Sequence, residues 1–278
     1  MNSYNFENYY NIILKNLTIS NILISTTVTI MTYLFYKQSV FANRNSIFCK
    51  LTKKNQLILN ELLPIDYKPP FYLPHPLIQL VCHIMKKKNP DIFFKREYLL
   101  TSDNGILTLD WLIDSKTEKS KDFDKIIFLL HGMTGGSETG YMKEIIEGFK
   151  DSPHNKVVTM HMRGINDTLL FTPTTYHAAS IDDVIFSLES VKKRYPDKIC
   201  YLVGVSMGAN ILTNLVSTTN LDGYIKGFVS ISNPCDLFCV EQQIRGSIIE
   251  RFIMFLFRFY VTNHRYTLYN LNKGNTIQ

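Results

Sequence analysis

From residue 97 onward the chain alternates short apolar runs with amphipathic stretches, and that order is what most narrows its possible folds. "EYLLT" and "ILTLDWLI" flank the turn "SDNG", a hairpin pattern. "KIIFLL" (125–130) is a continuous apolar run, as expected of a strand buried on both faces. A helical stretch near 140–150 follows, then the strand "KVVTMHM" (156–162), a helix over 180–194 and the strand "KICYLVGV" (198–205). A helix over 207–217 and the strand "GFVSIS" (227–232) continue the pattern. Such alternation predicts an α/β fold with a mostly parallel sheet and helices on both faces.

Within this frame Gly204-Val205-Ser206-Met207-Gly208 falls where a buried strand passes directly into a helix. A serine there is turned out at the carboxyl edge of the sheet, and small neighbours relieve the crowding of the sharp turn. Ser206 is therefore the candidate nucleophile, and the backbone N–H of Met207 can face an oxyanion. His131-Gly132-Met133-Thr134-Gly135-Gly136 directly follows "IIFLL". In an acyl-transfer enzyme this loop supplies a second oxyanion donor, the N–H of Met133. The Lys-Ser/Thr pair of a phosphate-binding P-loop is missing from it, and a merely tight turn rarely needs three glycines.

Charge is distributed unevenly. Residues 1–36 carry one Glu and one Lys, residues 37–96 have a surplus of +8, and residues 97–278 sum to −2. Between Lys15 and Lys37 lie 21 uncharged residues, long enough as a helix to cross a bilayer. The expectation is a tail (1–15), a transmembrane anchor (16–36), a basic neck and proline-rich connector (37–96) and an α/β domain (97–278). Basic residues after the span place the globular part on the cytosolic side. A buried core helix is the other reading of 16–36; a cleaved signal peptide lacks its basic start and its cleavage site. The neck suits anionic lipid, and no nucleic-acid recognition motif accompanies it. The connector "PIDYKPPFYLPHP" (64–76) precedes a helix-like "LIQLVCHIMKKK".

Cys49, Cys82, Cys200, Cys235 and Cys239 are an odd, scattered set that reads as free thiols, without the partners of a zinc site. No cofactor and no metal is expected.

Taken in order, "DNGILTLDW", "HGMTGGSETGYM", "MHMRGIN", "TYHAASIDDV", "VGVSMGANIL" and "ISNPCDL" resemble the AB hydrolase 4 family, the YheT-like α/β hydrolases and their membrane-anchored eukaryotic relatives. The resemblance spans roughly residues 65–265. It implies the α/β-hydrolase fold and an esterase or lipase-like activity on acyl esters, including glycerolipids and phospholipids. It also implies Ser206 as nucleophile, Met133 and Met207 backbones as oxyanion hole, and an N-terminal membrane anchor. Arg163, Gly164 and His177 match family positions near the site, without an assigned step.

The family places its acid and histidine on two further strands that should follow "NPCDL" and a helical insertion. "EQQIRGSIIERFIMFLFRFYV" resembles the start of that insertion, and the given sequence then ends at Gln278, so a C-terminally truncated domain is expected. Asp236 is the substitute acid, on a position some α/β hydrolases use; His264 is the one histidine after Ser206, and His131 and His161 lie near the sheet edge. Two functions follow: a membrane-anchored serine ester hydrolase working through an acyl-enzyme, or an inactive α/β-hydrolase-fold protein that binds a lipid or a protein partner.

Overall fold

The computed structural model describes residues 4–40, 50–61, 70, 73, 79, 82, 83, 92–113, 123–166, 168–219 and 223–274. The chain divides into two compact units, Met1–Lys86 and Lys87–Gln278.

The first unit contains helices α1 (Tyr4–Val40) and α2 (Lys53–Glu61). Helix α1 takes in the whole stretch 16–36, yet among the described residues no helix is long and apolar enough to cross a membrane. The transmembrane span expected over 16–36 is therefore not shown. Its 21 residues include seven Ser or Thr and two Asn among the apolar ones. Thr27 and Thr29 hydroxyls do bond back to the carbonyls of Leu23 and Ser25, both at 2.8 Å, but this satisfies the hydroxyls without making the helix apolar. Most of the proline-rich connector and of "LIQLVCHIMKKK" lies outside the described residues.

The second unit is built on six strands, β1 (Phe93–Leu100), β2 (Ile106–Ile113), β3 (Lys125–Leu130), β4 (Asn155–His161), β5 (Ile199–Val205) and β6 (Ile225–Ile231). Their spatial order is β1-β2-β4-β3-β5-β6. The first hairpin is antiparallel and β2 joins β4 antiparallel; β4, β3, β5 and β6 run parallel. Strand β1 starts four residues earlier than the pattern suggests, because Phe93 still pairs with Ile113 across the hairpin. The turn closes with the Thr101 N–H donating to Gly105 O, and Asn104 takes the left-handed φ of 61°.

Helices α3 (Gly140–Lys150), α4 (Asp182–Arg194) and α5 (Met207–Thr218) connect the parallel strands. Strand pleating sends alternate residues of β3 to opposite faces. Ile126, Phe128 and Leu130 join Val184, Leu188 and Val191 of α4 and Ile211, Leu212 and Leu215 of α5 in one core. Ile127 and Leu129 join Met142 and Ile146 of α3 in the other. The continuous apolar run of β3 is the consequence of being covered on both sides.

After β6 come α6 (Leu237–Ile244) and the long α7 (Ile248–Gly274). Strand β6 forms one edge of the sheet, and its Phe228 and Val229 are exposed. The four described cysteines are free thiols; Cys49 lies outside the described residues.

The β5–α5 turn brings backbones into contact. A Cβ on Gly208 would lie 2.5 Å from His131 O and 2.6 Å from Leu130 O, and one on Gly204 would lie 2.6 Å from Gly208 O. Gly148, in α3, has nothing within 4 Å of the same atom. Gly208→Ala is therefore expected to destabilise the second unit by about 1–3 kcal/mol through backbone displacement. Gly148→Ala should stabilise it by about 0.5–1 kcal/mol, since alanine is the better helix former. Denaturant midpoints of the two variants should move in opposite directions.

Candidate active site

Ser206 stands between β5 and α5 with φ 53° and ψ −116°, a conformation that L-residues adopt at a cost of about 1–3 kcal/mol and keep only where the surroundings hold it. Two bonds do the holding. The Ser206 N–H donates to Ile231 O at the end of β6 (2.8 Å), and Ser206 O accepts the Asn210 N–H in the first turn of α5 (3.1 Å). The side chain is half-buried at the carboxyl edge of the sheet.

The Gly-rich loop lies against it, since a Cβ on Gly132 would come 3.2 Å from Ser206 Cβ. A side chain at 132 would crowd Ser206. Two tyrosines outside the loop hold it in place. The Gly132 N–H donates to Tyr141 Oη (2.9 Å) and the Thr134 N–H to Tyr176 Oη (3.3 Å), so the amides on either side of Met133 are tied down. Gly135 N–H closes the turn on Gly132 O (3.0 Å), with Thr134 at φ 54°. Met207 is the first residue of α5, where helix geometry leaves the N–H without an intrahelical partner. Ser206, the loop and the helix end are thus brought together. Nothing in the sequence marks Tyr141 or Tyr176 for this duty, because it depends on where the chain returns in space.

Behind the loop is a buried polar group that the sequence reading only touched. Asp110, inward-facing on β2, accepts both ends of the Arg96 fork (2.7 and 2.8 Å), the Ser137 hydroxyl (2.6 Å) and His161 Nε2 (2.9 Å). Burial pushes its carboxyl up, but the hydrogen bonds from Arg96, His161 and Ser137 and the electrostatic attraction of His161 outweigh it and hold Asp110 far below the usual carboxylate range. A charged residue inside "ILTLDWLI" was the available signal.

The described histidines near the sheet edge and in α7 each have a partner for at least one ring nitrogen. His131 is fully buried; its Nδ1–H donates to Gly132 O (2.6 Å) and its Nε2 accepts the Met162 N–H (3.3 Å). Burial, with His161 nearby, pushes the imidazole down to about 3 and keeps it neutral. His264 Nε2 meets Gly164 O (2.8 Å), and His177 Nδ1 accepts the Ala179 N–H (3.2 Å). Among the described residues no imidazole is hydrogen-bonded to Ser206 Oγ.

Arg163 is a strut. It donates to Asp183 at the start of α4 (2.7 and 2.8 Å), to Asp103 in the first hairpin turn (2.6 Å) and to Thr172 (3.0 Å). Asp183 and Asp103 raise its pKa further, and Arg163 holds the Asp103 carboxyl down at about 2. A polar cavity of about 370 Å³ beside it is lined by Asp103, His177, Ser180 and Phe186, among others. Gly164 (φ 72°) lies under Tyr260 and His264 of α7. Asp236 is the N-cap of α6, with Oδ1 accepting the Cys239 N–H (2.9 Å). Among the described residues no three His, Cys, Asp or Glu side chains gather as a metal donor set.

The neutral state of His131 has a measurable consequence. The unfolded chain takes up this proton near 6.5 and the folded chain only near 3, so stability is fully present above pH 6.5 and falls as pH drops between these values. One such group contributes a slope of up to about 1.4 kcal/mol per pH unit. Urea unfolding at pH 7, 6, 5 and 4 should show this loss, and His131→Asn should have a shallower dependence over the same window.

The sequence pattern of the α/β-hydrolase fold family matches residues 125–265, which run from β3 into α7. Among curated proteins the chain is similar to the monoacylglycerol lipase of Saccharomyces cerevisiae, 29% identical over 52% of this chain and 33% of that protein. It is also similar to the medium-chain fatty acid ethyl ester synthase/esterase 2 of the same yeast, 26% identical over 54% of this chain and 43% of that protein. Phospholipase ABHD3 of Bos taurus is 25% identical over 62% of this chain and 41% of that protein. The chain thus spans a third to under a half of the length of these relatives. With the strand order, the Ser206 turn and a family match over half of its length, the chain belongs to the α/β-hydrolase fold family.

Proposed function

We propose that this chain carries the nucleophile and oxyanion hole of a serine ester hydrolase acting on acyl esters of lipids or of short-chain acids. The observation that supports it most is the strained backbone at Ser206, held by Ile231 O, with Ser206 Cβ 3.2 Å from where a Gly132 Cβ would be. Strain of this kind survives where it serves a task. The names of the similar proteins, a lipase, an esterase and a phospholipase, point to the same chemistry.

In this reading Ser206 Oγ attacks the ester carbonyl carbon while a general base takes its proton. The carbonyl oxygen, now negative, accepts hydrogen bonds from the N–H groups of Met133 and Met207. The carbon–oxygen ester bond breaks, the alcohol leaves with a proton, and Ser206 holds the acyl group until water releases it as the acid. Tyr141 and Tyr176 are positioning residues that fix the loop around Met133. Asp236, just beyond β6, is the nominated acid, its Oδ1 already engaged as a helix cap.

A second reading has its own observation. With every histidine described near the sheet edge engaged elsewhere, Ser206 has no imidazole partner among the described residues. A serine without its base loses orders of magnitude in reactivity. The same cleft would then bind an ester or lipid without cleaving it.

Treating the purified full chain with a fluorophosphonate probe separates the two. Hydrolase chemistry is expected to give labelling that Ser206→Ala abolishes. A folded protein that resists the probe contradicts the first reading and leaves the second. Tyr176→Phe should slow labelling by about tenfold while leaving the unfolding midpoint within about 1 kcal/mol of the parent, because it loosens one amide anchor only.

A further inference from the structure

Helix α7 presents two chemically different sides. Ile253, Leu256, Tyr260 and His264 recur at helical spacing and are half-buried. This side is fixed: Tyr260 Oη donates to Arg163 O (3.1 Å) and accepts the Thr175 hydroxyl (2.7 Å), while His264 meets Gly164 O. Tyr176, which anchors the oxyanion loop, packs edge-on against Tyr260 with ring centres 5.7 Å apart.

The outward side is apolar where a water-facing helix would be polar. Ile248, Phe252, Phe255 and Phe259, at spacings of four, three and four, are 70%, 43%, 61% and 58% exposed. Phe238 of α6 is 85% exposed. Roughly a quarter turn from this stripe, by helix geometry, Arg251, Arg258 and Arg265 follow at intervals of seven. All three are exposed, and the one acid of the helix, Glu250, turns back to accept the Gly246 N–H.

We propose that this outer side of α7 docks on an anionic lipid surface. The phenylalanines enter the boundary between head groups and acyl chains, and the arginine row reaches phosphate and carboxylate groups at that level. Charge selects this occupant over a second copy, since two such rows brought face to face would repel. The helix lies on the surface without spanning it, and docking does not depend on Ser206 being active. Because Tyr260 also touches the ring that anchors the Gly-rich loop, the docked helix sets the Ser206 edge beside the lipid.

The test uses the full chain with Phe255→Trp, whose indole would be exposed while Trp111 stays in the core. Vesicles of brominated phosphatidylcholine, with and without phosphatidylserine, are added. The expected result is a blue shift and quenching of the introduced indole, strongest with phosphatidylserine. Combined Arg251→Gln, Arg258→Gln and Arg265→Gln should weaken vesicle binding by about tenfold or more. An indole that stays unshifted while the protein floats with the vesicles would overturn the proposal, assigning the contact to another segment. So would a blue shift that appears without vesicles as protein concentration rises, which would mean a second copy covers the helix.

Discussion

The close approach of the β5–α5 turn to the end of β3 is the constraint on which the rest of the site depends. Gly208 lets the head of α5 lie against the carbonyls of Leu130 and His131, and Gly204 lets the strand turn into the helix at all. Once those backbones touch, Ser206 has no room to relax, and its positive φ is enforced by neighbours on both sides. The Gly-rich loop then falls beside the serine because it leaves β3 at the same contact. The placing of Ser206 and of the Gly-rich loop is therefore the product of one packing event.

That event was legible in the sequence because it is local. Glycines on both sides of a serine, an apolar run before and an amphipathic stretch after, fix a strand, a turn and a helix with few alternatives. The strands β3, β5 and β6 came within a residue or two of their pattern for the same reason. What stayed hidden is what comes from far along the chain. Tyr176 reaches Thr134 across 42 residues, Ser137 reaches Asp110 across 27, and Tyr260 reaches Arg163 across 97. No spacing rule announces such pairs.

The stretch 16–36 is a different case. Freedom from charge marks it, but hydroxyl and amide side chains interrupt its apolar surface, and among the described residues no helix is long and apolar enough to cross a membrane. Arg163, matched to a family position near the site, turns out to be a neutralised strut between the first hairpin and α4. Its role is to hold the loop after β4 in place, on which Tyr260 and His264 then rest. Polar interactions in this unit serve position first: Arg96 with Asp110, Arg163 with Asp183, and His131 with its two backbone partners.

The central claim is geometric, and a crystal structure of the chain after reaction with an alkyl phosphonate ester tests it most directly. Phosphorus bonded to Ser206 Oγ, with the phosphoryl oxygen about 2.7–3.1 Å from the N–H groups of Met133 and Met207, is the expected result. An adduct on another residue, or a phosphoryl oxygen turned away from both amides, would contradict it.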